Sequence, residues 1–291
     1  MPVSAAPVNE AVDRLENASP LDPVVDAVRG IVSKALAPQP LRDLLHGVWL
    51  GHPLHPVLTD VPIGMWSAAA VLDLMPGTGP APATLIGTGV IAAVPTAVTG
   101  LADWSDLHKP HQRVGVVHAL ANVTGLACYV ASLSARAHGR AARGKAWAFL
   151  GLGAVMAGGY LGGHLSFRQS AGANHTSDVM DLFPSGWQAI GRLEELPEGQ
   201  LTKRTVDSVD ILVMRRGQHV DAIANKCTHL SGPLSDGEFK VESGQGCVVC
   251  PWHGSTFRLS DGGVVHGPAT SPQPHFDVRV TSGTVEIKLP G

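Results

Sequence analysis

Charged residues thin out between about Pro56 and Leu165, and the apolar residues there run in four long stretches, 56–75, 83–101, 114–134 and 146–165. Each approaches the ~20 residues that cross a hydrocarbon core as a helix. Two membrane hairpins are therefore expected, with a soluble bundle of Ala-rich helices as the alternative. Glycines at 87, 89, 115, 125, 151, 153, 158 and 159 would let the helix backbones approach closely. Ahead of these stretches, Val24, Val25, Val28, Ile31, Val32 and Leu36 recur at helical spacing opposite Asp22, Asp26, Arg29 and Lys34. That is an amphipathic helix, suited to a membrane surface or to a neighbouring domain.

After Leu165 the pattern changes. A polar link through Asn174 and Asp178 leads to Trp187, and from there short apolar runs alternate with turn residues: 209–214, 220–224, 247–250, 264–265, 278–280 and 285–288. The predicted fold class is thus multi-domain, an all-α four-helix transmembrane domain followed by an all-β domain. The expected boundaries are a disordered start at 1–20, an amphipathic helix at 21–40, the transmembrane domain at 41–175, a linker at 176–185 and the β domain at 186–291.

Composition sharpens this reading. Only 15% of the 291 residues are charged, and the net charge of −3 provides no basic surface for nucleic acid. Cys128, Cys227, Cys247 and Cys250 lie in a sequence with no recognisable secretory signal, so metal ligation is a better use of clustered thiols than a disulfide framework.

Two loops carry the chemistry, Cys227-Thr228-His229-Leu230-Ser231-Gly232-Pro233-Leu234 and Cys250-Pro251-Trp252-His253-Gly254-Ser255-Thr256-Phe257. Each offers one thiolate and one imidazole. A Cys₂His₂ zinc site uses the same residue types, but zinc fingers group cysteines with cysteines and histidines with histidines. The two loops, with the later Asp261-Gly262 and Gly267-Pro268-Ala269, resemble the Rieske [2Fe–2S] family over the stretch from Trp187 onward. The resemblance implies a [2Fe–2S] cluster with Cys227 and Cys250 on an inner iron, His229 and His253 on an outer one, and the Ser255 hydroxyl bonded to a cluster sulfide. It also marks two departures: Phe257 stands where high-potential relatives have Tyr, and Gly232 and Trp252 stand where the quinol-oxidising members have a loop-joining disulfide. A potential below that class is expected. Cys247 reads as a strand residue and Cys128 as a small buried side chain.

The membrane part begins Gly51-His52-Pro53-Leu54-His55-Pro56 and continues Thr59-Asp60-Val61-Pro62-Ile63-Gly64, resembling an uncharacterised family of four-helix membrane domains sometimes fused to Rieske domains. Alternating helix direction would bring His52, His55, Asp103, Asp106, His111, His118 and His164 to one membrane face. Ionisable groups at membrane depth point to function. His118, His164 and His55 are the candidate ligands for haem b or, with Asp60 or Asp103, for another metal; helix capping and a quinone or proton site are the alternatives. His108 and His111 read as surface loop residues, and His46 and His175 carry no claim.

Four crossings put both termini on one side. The cations near the helix ends, Arg42, Lys109, Arg113 and Arg168 against Arg136, Arg140, Arg143 and Lys145, nearly balance. A cytoplasmic β domain at the cell membrane is expected because iron–sulfur domains acquire metal in the cytosol and no twin-arginine signal precedes the spans. The expected function is electron transfer between redox partner proteins and the membrane domain, an oxidoreductase component in a lipid bilayer. No second catalytic iron domain is visible, which argues against a terminal oxygenase. A membrane-anchored redox sensor or assembly protein, and a ferredoxin serving a separate oxygenase, are the rival readings.

Overall fold

The computed structural model describes residues 7–290. The chain divides into two compact units, one formed by the N-terminal residues through Ala37 with Leu54–Ala171, the other by Pro38–Pro53 with the C-terminal stretch from Gly172.

The first unit is helical. Its core elements are α4 (Leu54–Leu74), α5 (Ala81–Ser105), α6 (Lys109–Ala137) and α7 (Ala141–Gly163), the last running on through a π-helical turn at His164–Arg168. All four are long and apolar enough to cross a membrane. They extend beyond the apolar runs because polar residues such as Lys109 and Arg136 continue the helical hydrogen bonding past the apolar segments.

Glycine divides into two groups. A Cβ at Gly125 would lie 3.0 Å from the Gly151 carbonyl oxygen, and one at Gly151 would lie 3.1 Å from that of Gly125, so α6 and α7 meet backbone to backbone. Gly89 accommodates Trp66, which stacks on Tyr129 with centroids 4.3 Å apart. Gly87, Gly153 and Gly159, by contrast, have nothing within 4 Å of a built Cβ. Close approach thus explains only part of the glycine content, because these three point away from the bundle.

Two earlier helices belong to this unit, α1 (Pro7–Glu16) and α2 (Asp22–Ala35). The start expected to be disordered therefore contains a helix, while residues 1–6 lie outside the described residues. The reason is long-range: Arg168 donates to Asp13 at 2.7 Å, His164 Nε2 to Glu16 Oε1 at 2.6 Å, and Arg113 Nη1 to the Glu16 carbonyl at 2.9 Å. The amphipathic helix α2 is held similarly. Arg113 forms a two-pronged pair with Asp22 at 2.8 Å, Lys109 pairs with Asp26, and Arg29 donates to Ser105 O at 3.0 Å. At the other end of the spans Arg136 pairs with the buried Asp73, whose carbonyl also accepts from Lys145 at 2.6 Å. Three of the cations in the near-tied orientation count are thus matched by carboxylates of α1 and α2.

Among the described residues, the second unit is built on ten strands. After a short helix, α8 (Val179–Leu182), β1 (Gln188–Arg192) pairs with β10 (Thr284–Lys288), which pairs with β9 (Asp277–Thr281). A second sheet runs β2 (Leu201–Val206), β3 (Val209–Arg216), β4 (His219–Ala224), and a third β5 (Glu238–Glu242), β6 (Gln245–Val249), β7 (Thr256–Arg258), β8 (Val264–His266), all pairings antiparallel. The alternation of a strand explains how one element serves two cores. In β3, Ile211 and Val213 enter a cluster with Val220, Ala222, Val285 and Ile287, whereas Leu212 and Met214 enter another with Ile223, Cys227, Cys250 and Phe257.

This unit also takes in a segment from ahead of the first span. Helix α3 (Gln39–His46) ends on Gly47 in the left-handed region, which closes the helix by accepting the strained φ of +83° that a Cβ would oppose. Residues 41–53 were expected to belong with the four helices; instead Pro38–Pro53 packs with the β strands. Val48 and His46 lie where a Cβ on Gly267 would come within 3.1 and 3.3 Å of them, and His46 is fully buried there.

Candidate metal centre

The two cysteine–histidine loops are the tips of two β connections. The first leaves β4 and is pinched at its base by the Lys226–Pro233 bridge; the second joins β6 to β7 across the Val249–Thr256 pair. Main-chain bonds fold each into a tight turn. Ser231 N–H donates to Cys227 O at 2.9 Å and Cys227 N–H to Gly232 O at 2.8 Å; Gly254 N–H donates to Cys250 O at 3.1 Å and Cys250 N–H to Ser255 O at 2.8 Å. Ser231 takes a positive φ of 65° to close the first turn.

These turns aim donors at sulfur. The N–H groups of His229 and Leu230 bond the Cys227 thiol, and those of Trp252 and His253 bond the Cys250 thiol. The two thiols are themselves hydrogen-bonded. That bond and burial push the Cys227 pKa up, while the same bond lowers that of Cys250, so the pair favours sharing one proton between its two sulfurs. Both cysteines are buried, whereas His229 and His253 are half-buried with ring centroids 5.1 Å apart and planes at 87°.

The fit to a two-iron cluster rests on this donor set. Two buried thiols supported by main-chain N–H groups can hold one iron, and two imidazoles at the rim can hold a second. Space is controlled by Gly232, where a Cβ would lie 2.8 Å from Cys250 Sγ and 3.2 Å from Trp252 Cδ2. Gly232 and Trp252 are thus neighbours across the two loops, and all four cysteines of the chain are free. Trp252 is 48% exposed beside His253.

The surroundings include groups that sequence reasoning singled out and one that it passed over. Ser255 is fully buried, and its Oγ accepts from Ala269 N–H at 2.9 Å, which leaves its own proton free to be donated. Phe257 lies fully buried in the core beneath, and Cys247 is buried in β6, as a strand residue should be. His175, given no role from the sequence, bonds the first loop: its N–H donates to Thr228 O at 3.0 Å, and its Nδ1 lies 3.2 Å from the Ser231 hydroxyl. Nothing local in Asn174-His175-Thr176 signals this, because the partner lies 56 residues further on.

The three singled-out membrane histidines are each engaged. His55 Nδ1 donates to Thr96 O at 2.9 Å with its ring against Gly100, and His118 Nδ1 donates to Gly158 O at 2.7 Å with its ring against Gly162. His118 Nε2 accepts from Asn122 at 3.2 Å. His164 is taken up by Glu16 at the end of α7. His111, read as a loop residue, lies in α6 instead and bonds Gln169 O at 3.1 Å, because the helix begins at Lys109. His52 is exposed, Asp60 is exposed on α4, and Asp106 is buried at the end of α5. Among the described residues of the four long helices, no group of three or more His, Cys, Asp or Glu side chains is placed to hold a metal ion.

Comparison with known proteins agrees with this division. Residues 186–279 match the family described as the Rieske [2Fe–2S] domain, and residues 51–175 match the family described as "Predicted membrane protein (DUF2231)". The anthranilate 1,2-dioxygenase ferredoxin subunit of Burkholderia cepacia is 28% identical over 103 residues, which are 35% of this chain and 92% of that protein. The chloroplastic choline monooxygenase of Beta vulgaris is 32% identical over 109 residues, 37% of this chain but only 23% of its own length. Among solved structures, the ferredoxin of carbazole 1,9a-dioxygenase from Nocardioides aromaticivorans IC177 aligns at 29% identity with a TM-score of 0.34, covering 36% of this chain and 100% of that one.

Proposed function

We propose that this chain, in which a Rieske [2Fe–2S] domain at 186–279 follows a predicted membrane domain at 51–175, is a membrane-anchored one-electron carrier. The observation that carries the reading is the division of the four candidate ligands, with the Cys227 and Cys250 thiols buried and the His229 and His253 rings at the rim. When bound, the cluster accepts and returns one electron, in the range of about −150 to +300 mV that His₂ ligation gives Rieske centres. The protein's own contribution is to keep the sulfur side dry, to direct N–H groups at both thiols, and to leave the imidazoles within reach of a partner. Likeness to an anthranilate 1,2-dioxygenase ferredoxin subunit supports a redox protein as that partner. The four helices would fix the carrier to the cell membrane, with the β domain and both termini on the cytoplasmic side; a reporter fused after residue 291 that is active only outside would reverse that placement. A redox sensor and a ferredoxin serving a separate oxygenase use the same centre, and differ in whether the cluster turns over with a partner.

A second redox group in the helices is favoured by one observation. Nδ1–H of both His55 and His118 is tethered to a main-chain carbonyl, which fixes the tautomer that leaves Nε2 as the ligand nitrogen, and on His118 the Asn122 amide would have to release that nitrogen first. Optical and electron paramagnetic resonance spectra of the detergent-purified chain, oxidised and then reduced with dithionite, test both readings. A reduced-state Rieske signal is expected, and sharp haem bands would add the second group. Absence of any cluster signal after anaerobic preparation would overturn the carrier.

A further inference from the structure

Asp43 is 143 residues ahead of the matched Rieske stretch, yet its carboxylate is bound by two groups of that domain. Oδ1 accepts from Gly267 N–H at 2.9 Å and Oδ2 from His266 Nδ1 at 2.8 Å, while His266 Nε2 donates to Glu242 Oε1 at 2.8 Å. The turn held this way is the one that supports Ser255: two residues after Gly267, Ala269 N–H donates to Ser255 Oγ at 2.9 Å. Ser255 in turn accepts Cys250 N–H on its carbonyl at 2.8 Å and is fully buried. A hydroxyl oxygen that already accepts one N–H has its own proton directed elsewhere. The contact is also tight in the packing sense, since a Cβ on Gly267 would press on Val48 and His46 of the same segment.

We infer that Asp43 is a positioning residue for the cluster: it fixes the Gly267–Ala269 turn, and through Ala269 N–H it sets the orientation in which Ser255 donates to the cluster. This rests on the carrier reading above, and it gives Pro38–Pro53 a role beyond tethering. A hydrogen bond to a cluster sulfur stabilises the reduced state, so releasing Ser255 lowers the potential. Removing a nearby negative charge has the opposite sign and raises it. The two effects can therefore be separated.

The test uses the full-length holoprotein in detergent, as wild type, D43A, D43N, S255A and D43A/S255A, with midpoint potentials from redox titration and amide hydrogen exchange over 267–270. D43A and S255A are each expected to weaken reduction by about tenfold, or about 59 mV for one electron. The double variant should shift no further than S255A, because both act through one hydroxyl. D43N keeps an acceptor for Gly267 N–H and should stay at or above the wild-type potential, while exchange at 267–270 rises in D43A alone of the two. A potential in D43A equal to or higher than wild type would overturn the inference, and so would full additivity in the double variant. If the wild type holds no cluster, it is the carrier reading that falls, and unchanged exchange at 267–270 in D43A would then dispose of the positioning role independently.

Discussion

Asp43 Oδ2 lies 2.8 Å from His266 Nδ1 across 223 positions of sequence, and Glu242 Oε1 faces the opposite nitrogen of the same ring at the same distance. Burial lowers the His266 pKa, but the hydrogen bonds to Glu242 and Asp43 outweigh it and hold the imidazole above its ordinary value. Because the folded pKa is raised, the stabilisation is fully present below about pH 6.5 and is lost as pH rises through the folded value. The melting temperature of wild type should therefore fall across that window relative to H266Q, in which this titration is gone. Parallel melting curves for the two proteins between about pH 6 and 9 that hold a constant separation would contradict this.

The cysteines should separate cleanly by mutation. Cys250→Ser is expected to abolish the reduced-state resonance signal, since it removes one of the two buried thiols that face each other. Cys247→Ala, buried in β6 and raised in pKa chiefly by burial, should keep the signal and cost about 0.5–3 kcal/mol of stability. Iron content per chain, measured beside the spectrum, distinguishes a lost cluster from a lost fold.

Gly232→Ala should injure the site without touching a ligand. Its added methyl would sit 2.8 Å from Cys250 Sγ and against the Trp252 ring, so the two loops must part. A destabilisation of about 1–3 kcal/mol is expected, together with reduced iron retention on dilution into a chelator. Wild-type retention would mean that the loops yield more easily than their main-chain bonding indicates.

A matched pair of glycines tests the membrane part. Gly125→Leu drives a side chain into Val155 and the Gly151 backbone, whereas the Cβ of Gly153→Leu meets nothing within 4 Å. The first should lower the detergent melting temperature, by an overpacking penalty of about 1–3 kcal/mol, and the second should leave it unchanged. Equal losses from both would argue against the α6–α7 contact.

How much of this was legible in the sequence depended on the range over which each signal acts. The four spans follow from runs of apolar residues, and β3, β4, β6 and the β9–β10 hairpin from local alternation and from turns such as Ser282-Gly283. The candidate ligand loops were legible because each holds a Cys and a His with one or two residues between them, beside the glycine or proline that its turn needs. Strand β5 was not named from the sequence; Glu238-Phe239-Lys240-Val241-Glu242 is an edge strand with three exposed positions, so burial imposed little pattern on it. Helix α1 and the roles of His175 and Asp43 were invisible for a different reason. Each is defined by a partner between 56 and 223 residues away, and no local pattern records such a partner.

The β unit is interrupted in sequence, since Leu54–Ala171 stands between Pro53 and Gly172. Translation at about 5–20 residues per second imposes an order of events on that arrangement. Asp43 leaves the ribosome early and must wait roughly 10–45 s for the 223 residues up to His266. All four helices are synthesised during that interval. The unit bearing Cys227 and Cys250 can therefore close only behind a completed membrane part, and a chain halted among its spans carries a helix with Asp43 and no turn for it to grip.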